Sequence, residues 1–201
     1  IKDAWKEQKV VRDIMVFLHS HGVSTSRAVR IYKTYGEEAI EAVRENPYRL
    51  AADIQGIGFA SADQIAGKLG ITPESLLRAA AGLNHTLAEA MSQGHCSLPE
   101  EELLAAGGKL LGVEEPILRQ ALDQALAAED LARDEIGGEI FICLPRLKFA
   151  EETIAARIGA LSKAPSNYPA IDAEKAIAWC ETKTGTALAN HQKTALTQAL
   201  S

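Results

Sequence analysis

The sequence predicts a mainly α-helical fold with one small β-hairpin, on three observations. Apolar residues recur at helical spacing along most of the chain, aromatic residues make up only 5% of its 201 positions, and β-branched runs are rare. A hydrophobic share of 47% beside 24% charged residues excludes wholesale disorder. No window approaches the ~18 unbroken apolar residues that a membrane span needs, so no membrane partner is expected.

The elements follow in order. Val11, Ile14, Met15 and Leu18 lie three, four and seven positions apart, predicting a first helix that stops at Gly22. Ser26 to Tyr35 reads as a second helix closed by Gly36, and Glu37 to Glu45 as a third, ended by Asn46-Pro47 because the residue before proline avoids the α region. Short helices are expected at Tyr48–Asp53 and Ala60–Leu69, then a longer one from Leu76 to Met91. His95-Cys96-Ser97-Leu98 suits only a turn or a small strand. Pro99 is placed at a helix N1 position, opening a helix to Leu111 with Glu100, Glu101 and Glu102 at its positive end. Glu114 to Glu129 is the next helix. Leu131–Asp134 and Glu139–Leu144 then flank Glu135-Ile136-Gly137-Gly138, a β-hairpin signal. After a helix from Leu147 to Leu161, the stretch Ser162–Pro169 is the best linker, and amphipathic segments at Asp172–Thr182 and Ala187–Leu200 close the chain.

An internal repeat organises the first third. A shift of 34 positions aligns Gly22 with Gly56, Val23 with Ile57, Ala28 with Ala62, Ile31 with Ile65 and Gly36 with Gly70. Each copy reads helix, tight glycine-containing hairpin, helix, terminal glycine. Two such units, joined by the Glu37–Glu45 helix, would bury each other's apolar faces. Behind them, the order helix, short strand, helix, helix, hairpin is that of a winged helix. The expected organisation is a tandem hairpin domain over 1–72, a winged-helix-like domain over 73–146, and 147–201 as a helix, a linker and further helices.

Charge divides along the same line. Residues 1–72 carry +1 and residues 73–201 carry −7, within a total of −6. A strongly basic whole-domain nucleic-acid binder is excluded, so any such contact is local and made partly by the backbone. Cys96, Cys143 and Cys180 are sparse and widely spaced in a chain without an export signal, which points to reduced thiols in a cytoplasmic protein. The histidine spacings complete no zinc pattern, so no metal is expected.

The octet from Gln55 to Ala62 carries the most chemistry. Gly56 and Gly58 let the backbone turn and approach a ligand without a Cβ in the way, and the next helix starts just behind them with its free N–H groups aimed into the same space. Ile57 would anchor the loop, leaving the amides of Phe59 and Ala60 for a phosphate. In the first copy, Gly22-Val23-Ser24, a serine stands where the second glycine would be, and its hydroxyl could donate instead. Arg27, Arg30 and Lys33 would form a basic stripe on the helix behind that hairpin, with Lys68 in the second copy. The third helix of the winged-helix-like part bears Glu114, Glu115, Asp123 and Glu129 against Arg119 alone, which a DNA groove would repel.

The octet resembles the helix-hairpin-helix motif, whose glycine-rich hairpin binds DNA phosphates. Taken in order, Trp5-x-x-Gln8, Gly22-Val23-Ser24, Arg30-Ile31-Tyr32-x-x-Tyr35-Gly36, Asn46-Pro47-Tyr48-Arg49-Leu50, Asp53-Ile54-x-Gly56-Ile57-Gly58-Phe59-x-x-Ala62-Asp63 and Gly94-His95-Cys96-x-Leu98-Pro99 resemble the RecD-like ATP-dependent DNA helicases (exodeoxyribonuclease V alpha-subunit-like), in the region before their motor. The resemblance implies a segment of a longer chain, followed by a motor that moves 5′ to 3′ on single-stranded DNA in repair or recombination, with ATP and Mg2+ as the parent's cofactors. Leu188-x-x-x-Gln192-x-x-Ala195 looks like the family's opening motor helix, which would make Gln192 its adenine contact. The phosphate-loop signature is missing, since Gly67-Lys68 and Gly108-Lys109 are each followed by Leu, so the segment alone is not expected to hydrolyse ATP. Expected partners are DNA, single-stranded or forked, the chain's own motor, and a nuclease-complex subunit. The rival expectation is a structural module that docks on the motor or a partner subunit without touching DNA.

Overall fold

A computed structural model of the protein describes residues 2–164 and 171–200, with side chains from residue 8 onward. Residues 165–169 of the expected linker, Ala170 and the side chain of Trp5 lie outside the described residues. The chain forms two compact units, residues 1–152 and 153–201.

The first unit opens with α1 (Lys2–Ser20) and α2 (Thr25–Tyr35), then a 3-10 turn at Gly36–Glu38, α3 (Ala39–Glu45), α4 (Arg49–Asp53) and α5 (Phe59–Lys68). The 34-residue repeat is present in three dimensions. Gly22 and Gly56 hold φ +83° and +88°, a left-handed backbone that a side chain rarely adopts. Val23 and Ile57 after them are both buried, as are Ala28 with Ala62 and Ile31 with Ile65. The backbone closes alike as well: the N–H of Ala28 donates to Ser24 O at 2.8 Å and that of Ala62 to Gly58 O at 3.1 Å. Both copies and α3 share one core, in which Ile14, Leu18, Ile31 and Val43 meet Leu50, Ile54, Ile57 and Ile65. Each fully buried side chain of this size contributes about 1.5–3 kcal/mol, so neither copy is self-sufficient.

The remainder of the unit runs α6 (Leu76–Ser92), β1 (Ser97–Pro99), α7 (Glu100–Leu111), α8 (Glu115–Ala127), β2 (Ala132–Ile136) and β3 (Glu139–Cys143). The strands form one antiparallel sheet in the order β1-β3-β2, with Leu98 opposite Ile142 and Arg133 opposite Ile142 on its other side. Pro99 is not the first helical residue as expected. It caps α7 at φ −52° and ψ 139° while still paired to Phe141, because extending β1 by one residue satisfies the sheet without costing a helical N–H. A second core joins Leu83, Leu103, Leu104, Leu118, Leu122 and Ile142, and it also takes in Tyr48, Phe59, Ala62 and Ala66. Thus α5 presents one side to each core.

Two triads brace these helices. Tyr48 Oη donates to Asp63 Oδ1 at 2.7 Å, and Arg78 donates to the same carboxylate through Nε at 2.8 Å and Nη2 at 3.0 Å, while its Nη1 reaches Leu111 O at 3.1 Å. Tyr35 Oη donates to Asp53 Oδ2 at 2.6 Å, with Arg49 beside that carboxylate and over the Tyr35 ring. Burial first, then the bond to a carboxylate, raises the pKa of both phenols.

Helix α9 (Pro145–Lys163) runs two residues into the expected linker, as nothing before Pro165 breaks a helix. In the second unit, α10 (Ala173–Thr184) is capped by Asp172, which accepts from Lys175 N. Glu181 ties α10 to α11 (Asn190–Leu200) by accepting from Leu188 N at 2.7 Å and Lys193 Nζ at 2.8 Å.

Candidate nucleic-acid interface

The hairpin between α4 and α5 begins where α4 stops, with Ile57 N donating to Ile54 O at 3.1 Å across the turn at Gly56. Ile57 is 2% exposed and pins the loop to the core, as its spacing from Gly56 suggested. Gly58 then caps α5 at φ −93° and ψ 174°. That backbone suits any residue, so the turn itself does not need this glycine, contrary to the reading in which both glycines make the bend. A Cβ at Gly58 would meet nothing within 4 Å. The glycine instead keeps the approach to the helix mouth bare. The N–H groups of Gly58, Phe59 and Ala60 have no acceptor among the described residues. They are the orphan donors of a helix start, at its positive end.

The first hairpin matches it. Ser24 caps α2 with φ −69° and ψ 157°, its hydroxyl making no cap bond, and the N–H groups of Ser24, Thr25 and Ser26 are likewise without acceptors among the described residues. Thr25 and Ser26 are the positions that the 34-residue shift carries from Phe59 and Ala60, so the repeat held the signal for them. His19 Nδ1 donates to Val23 O at 2.9 Å and His21 Nδ1 to Phe17 O at 2.7 Å, so both imidazoles hold this turn.

Val23, Ile57 and Phe59 are all buried. Phe59 is stacked between Tyr48 and His85, with ring centroids 5.8 and 5.0 Å apart, which fixes the start of α5. Arg27, Arg30, Lys33 and Lys68 form no ion pair among the described residues. Arg30 and Lys68, however, lie away from their own hairpins. Arg30 Nη1 donates to Gln55 O at 2.7 Å, in the second hairpin, and Lys68 Nζ lies against Gly22 in the first. The sequence carried no sign of Gln55 as the anchor of Arg30, since a main-chain carbonyl has no residue signature.

Residues 7–97 match the family described as the ATP-dependent RecD2 DNA helicase HHH domain. This stretch is a RecD-like helix-hairpin-helix region. The ATP-dependent RecD2 DNA helicase of Deinococcus radiodurans is 26% identical over 172 residues, which are 81% of this chain and 24% of that protein. The chain therefore spans about a quarter of that relative's length. The matched stretch holds both hairpins, both Tyr–Asp–Arg triads and the start of β1. Neither match names a nuclease subunit.

Around the rest of the first unit the cations are engaged differently. Arg119, the one base on α8, binds Glu115 at 2.7 Å, Glu101 at 2.8 Å and Glu100 at 3.4 Å, and Arg133 takes the other Glu100 oxygen at 2.8 Å. In the second unit Gln192 is exposed, but its Oε1 accepts from Ala189 N at 2.9 Å, a bond that starts α11. Its amide N–H groups have no acceptor among the described residues, and the 201 residues contain no phosphate-loop signature. Among the described residues, no helix is long and apolar enough to cross a membrane and no three His, Cys, Asp or Glu could share a metal ion.

Proposed function

We propose that this chain is the DNA-engaging accessory region of an ATP-dependent helicase, holding the nucleic-acid backbone without reading its bases. The observation that carries the reading is the mouth of α5: three unbonded N–H groups behind a glycine that neither its φ angle nor its surroundings require. A phosphodiester oxygen is the group such a mouth suits, being anionic, compact and common to every sequence. Gly56, Ile57, Gly58, Phe59 and Ala60 supply main chain at the second hairpin, and Gly22, Val23 and Ser24 at the first. Arg27, Arg30, Lys33 and Lys68 add attraction that salt screens.

In the parent, a motor that binds ATP and Mg2+ works beyond these hairpins, 5′ to 3′, in repair or recombination away from membranes, with Gln192 toward the adenine. Within the chain, residues 1–72 are the DNA-holding domain, 73–146 a winged-helix-like domain, and 147–201 the approach to the motor. The winged-helix-like part is a packing or protein-contact element, because the base on its third helix is already held by three glutamates.

The test is anisotropy of a labelled oligonucleotide, single-stranded and forked, with the 201-residue chain and its Gly58→Glu variant. Affinity for the wild type that falls with salt, and a loss of about tenfold or more in the variant, is expected. Equal affinity in both would remove the phosphate clamp and leave a docking module.

A further inference from the structure

Each hairpin carries a cation from the other copy. Arg30 arises in α2, behind the first hairpin, yet its guanidinium bonds Gln55 O in the second and stands 2.8 Å from where a Cβ of Gly56 would lie. Lys68 arises at the end of α5, behind the second hairpin, yet its ammonium lies against Gly22 in the first. The two placements are reciprocal although the residues are not equivalents in the repeat, where Arg30 corresponds to Gln64 and Lys68 to Thr34. Both turn glycines are favoured by φ, and a Cβ at either would displace the visiting cation.

Neither cation is neutralised there. The Gln55 carbonyl pins one N–H of Arg30 and leaves the rest of the guanidinium fork for an anion, and Lys68 has no hydrogen-bond acceptor or carboxylate among the described residues. Holding a fixed positive charge on another unit's turn costs side-chain freedom, and no carboxylate among the described residues neutralises either charge. A nucleic-acid phosphate at the turn would.

We propose that the cations are exchanged: Arg30 serves the phosphate held by the Gly56–Gly58 hairpin, Lys68 serves the phosphate held by the Gly22–Ser24 hairpin, and the two hairpins work as one site. This rests on the DNA-holding reading above. Its consequence is a pattern of coupling that runs between copies. A side chain and a hairpin that share one phosphate lose their effects together, whereas those on separate phosphates lose them independently.

The experiment measures affinity of a labelled forked oligonucleotide for the whole chain across a salt series, in two crossed sets. Arg30→Gln and Lys68→Gln are each combined with Gly58→Glu and with Ser24→Glu, and thermal melts check that every variant folds; Arg30→Lys separates charge from the Gln55 bond. Each cation removed should lower the log–log salt slope by about one. Arg30→Gln should then cost little more in the Gly58→Glu background, yet its full fold-loss in the Ser24→Glu background, and Lys68→Gln should do the reverse. Additivity in all four pairs, or coupling of Arg30 to Ser24 and of Lys68 to Gly58, overturns the exchange while DNA holding stands. A wild type that does not bind, or a Gly58→Glu variant that binds equally, overturns both.

Discussion

Asp63 and Arg78 are joined by two hydrogen bonds, although fifteen positions separate them. The pair fastens α5 to α6, and Arg78 extends the link to the end of α7 through Leu111 O. Burial acts to raise the Asp63 pKa, but the bonds from Arg78 and Tyr48 and the guanidinium charge outweigh it, so the carboxyl sits below its ordinary value. A depressed carboxyl contributes stability that is complete above its unfolded pKa of about 3.9 and is lost as pH falls through the folded one. Asp63→Asn should cost about 1–3 kcal/mol at neutral pH, and denaturant melts should show the gap to wild type closing below about pH 4. A gap independent of pH would mean that the charge is not what the pair uses.

Gly56 and Gly58 stand two positions apart in one hairpin and should respond unequally to alanine. At Gly56 the Cβ meets both a φ of +88° and the Arg30 guanidinium, so Gly56→Ala should lose about 1–2 kcal/mol or more. Gly58→Ala enters open space on an ordinary backbone and should leave the melting temperature nearly unchanged. Calorimetry of the two variants decides it.

Arg119 should matter to folding and not to DNA. Arg119→Glu would set a fourth carboxylate among Glu100, Glu101 and Glu115, lowering the melting temperature most at low ionic strength. Oligonucleotide affinity of the folded variant should match the wild type. A loss of affinity would bring α8 into the nucleic-acid surface.

Ile31 lies fully buried in the core that both copies share. Ile31→Ala should cost about 2–5 kcal/mol. Hydrogen exchange should rise at both hairpins together, whereas a rise confined to the first would show two independent folding units.

The sequence by itself determined the helices, the single β-hairpin, the duplication at 34 positions and the two hairpins as candidate sites. These depend on short-range rules: apolar spacing sets which face is buried, and glycine marks where the chain must turn left-handed. Tertiary structure decided the partners. That Arg30 crosses to Gln55, that Lys68 lies on Gly22, that Tyr48, Asp63 and Arg78 form one brace, and that α5 serves two cores all follow from how helices stack. Residues 15 to 46 positions apart meet only once packing has set the distances between their helices, and no local pattern encodes that. Gly58 shows the division most plainly: its identity was legible as part of a motif, but only the backbone angles and the empty space around it show that the fold could do without it.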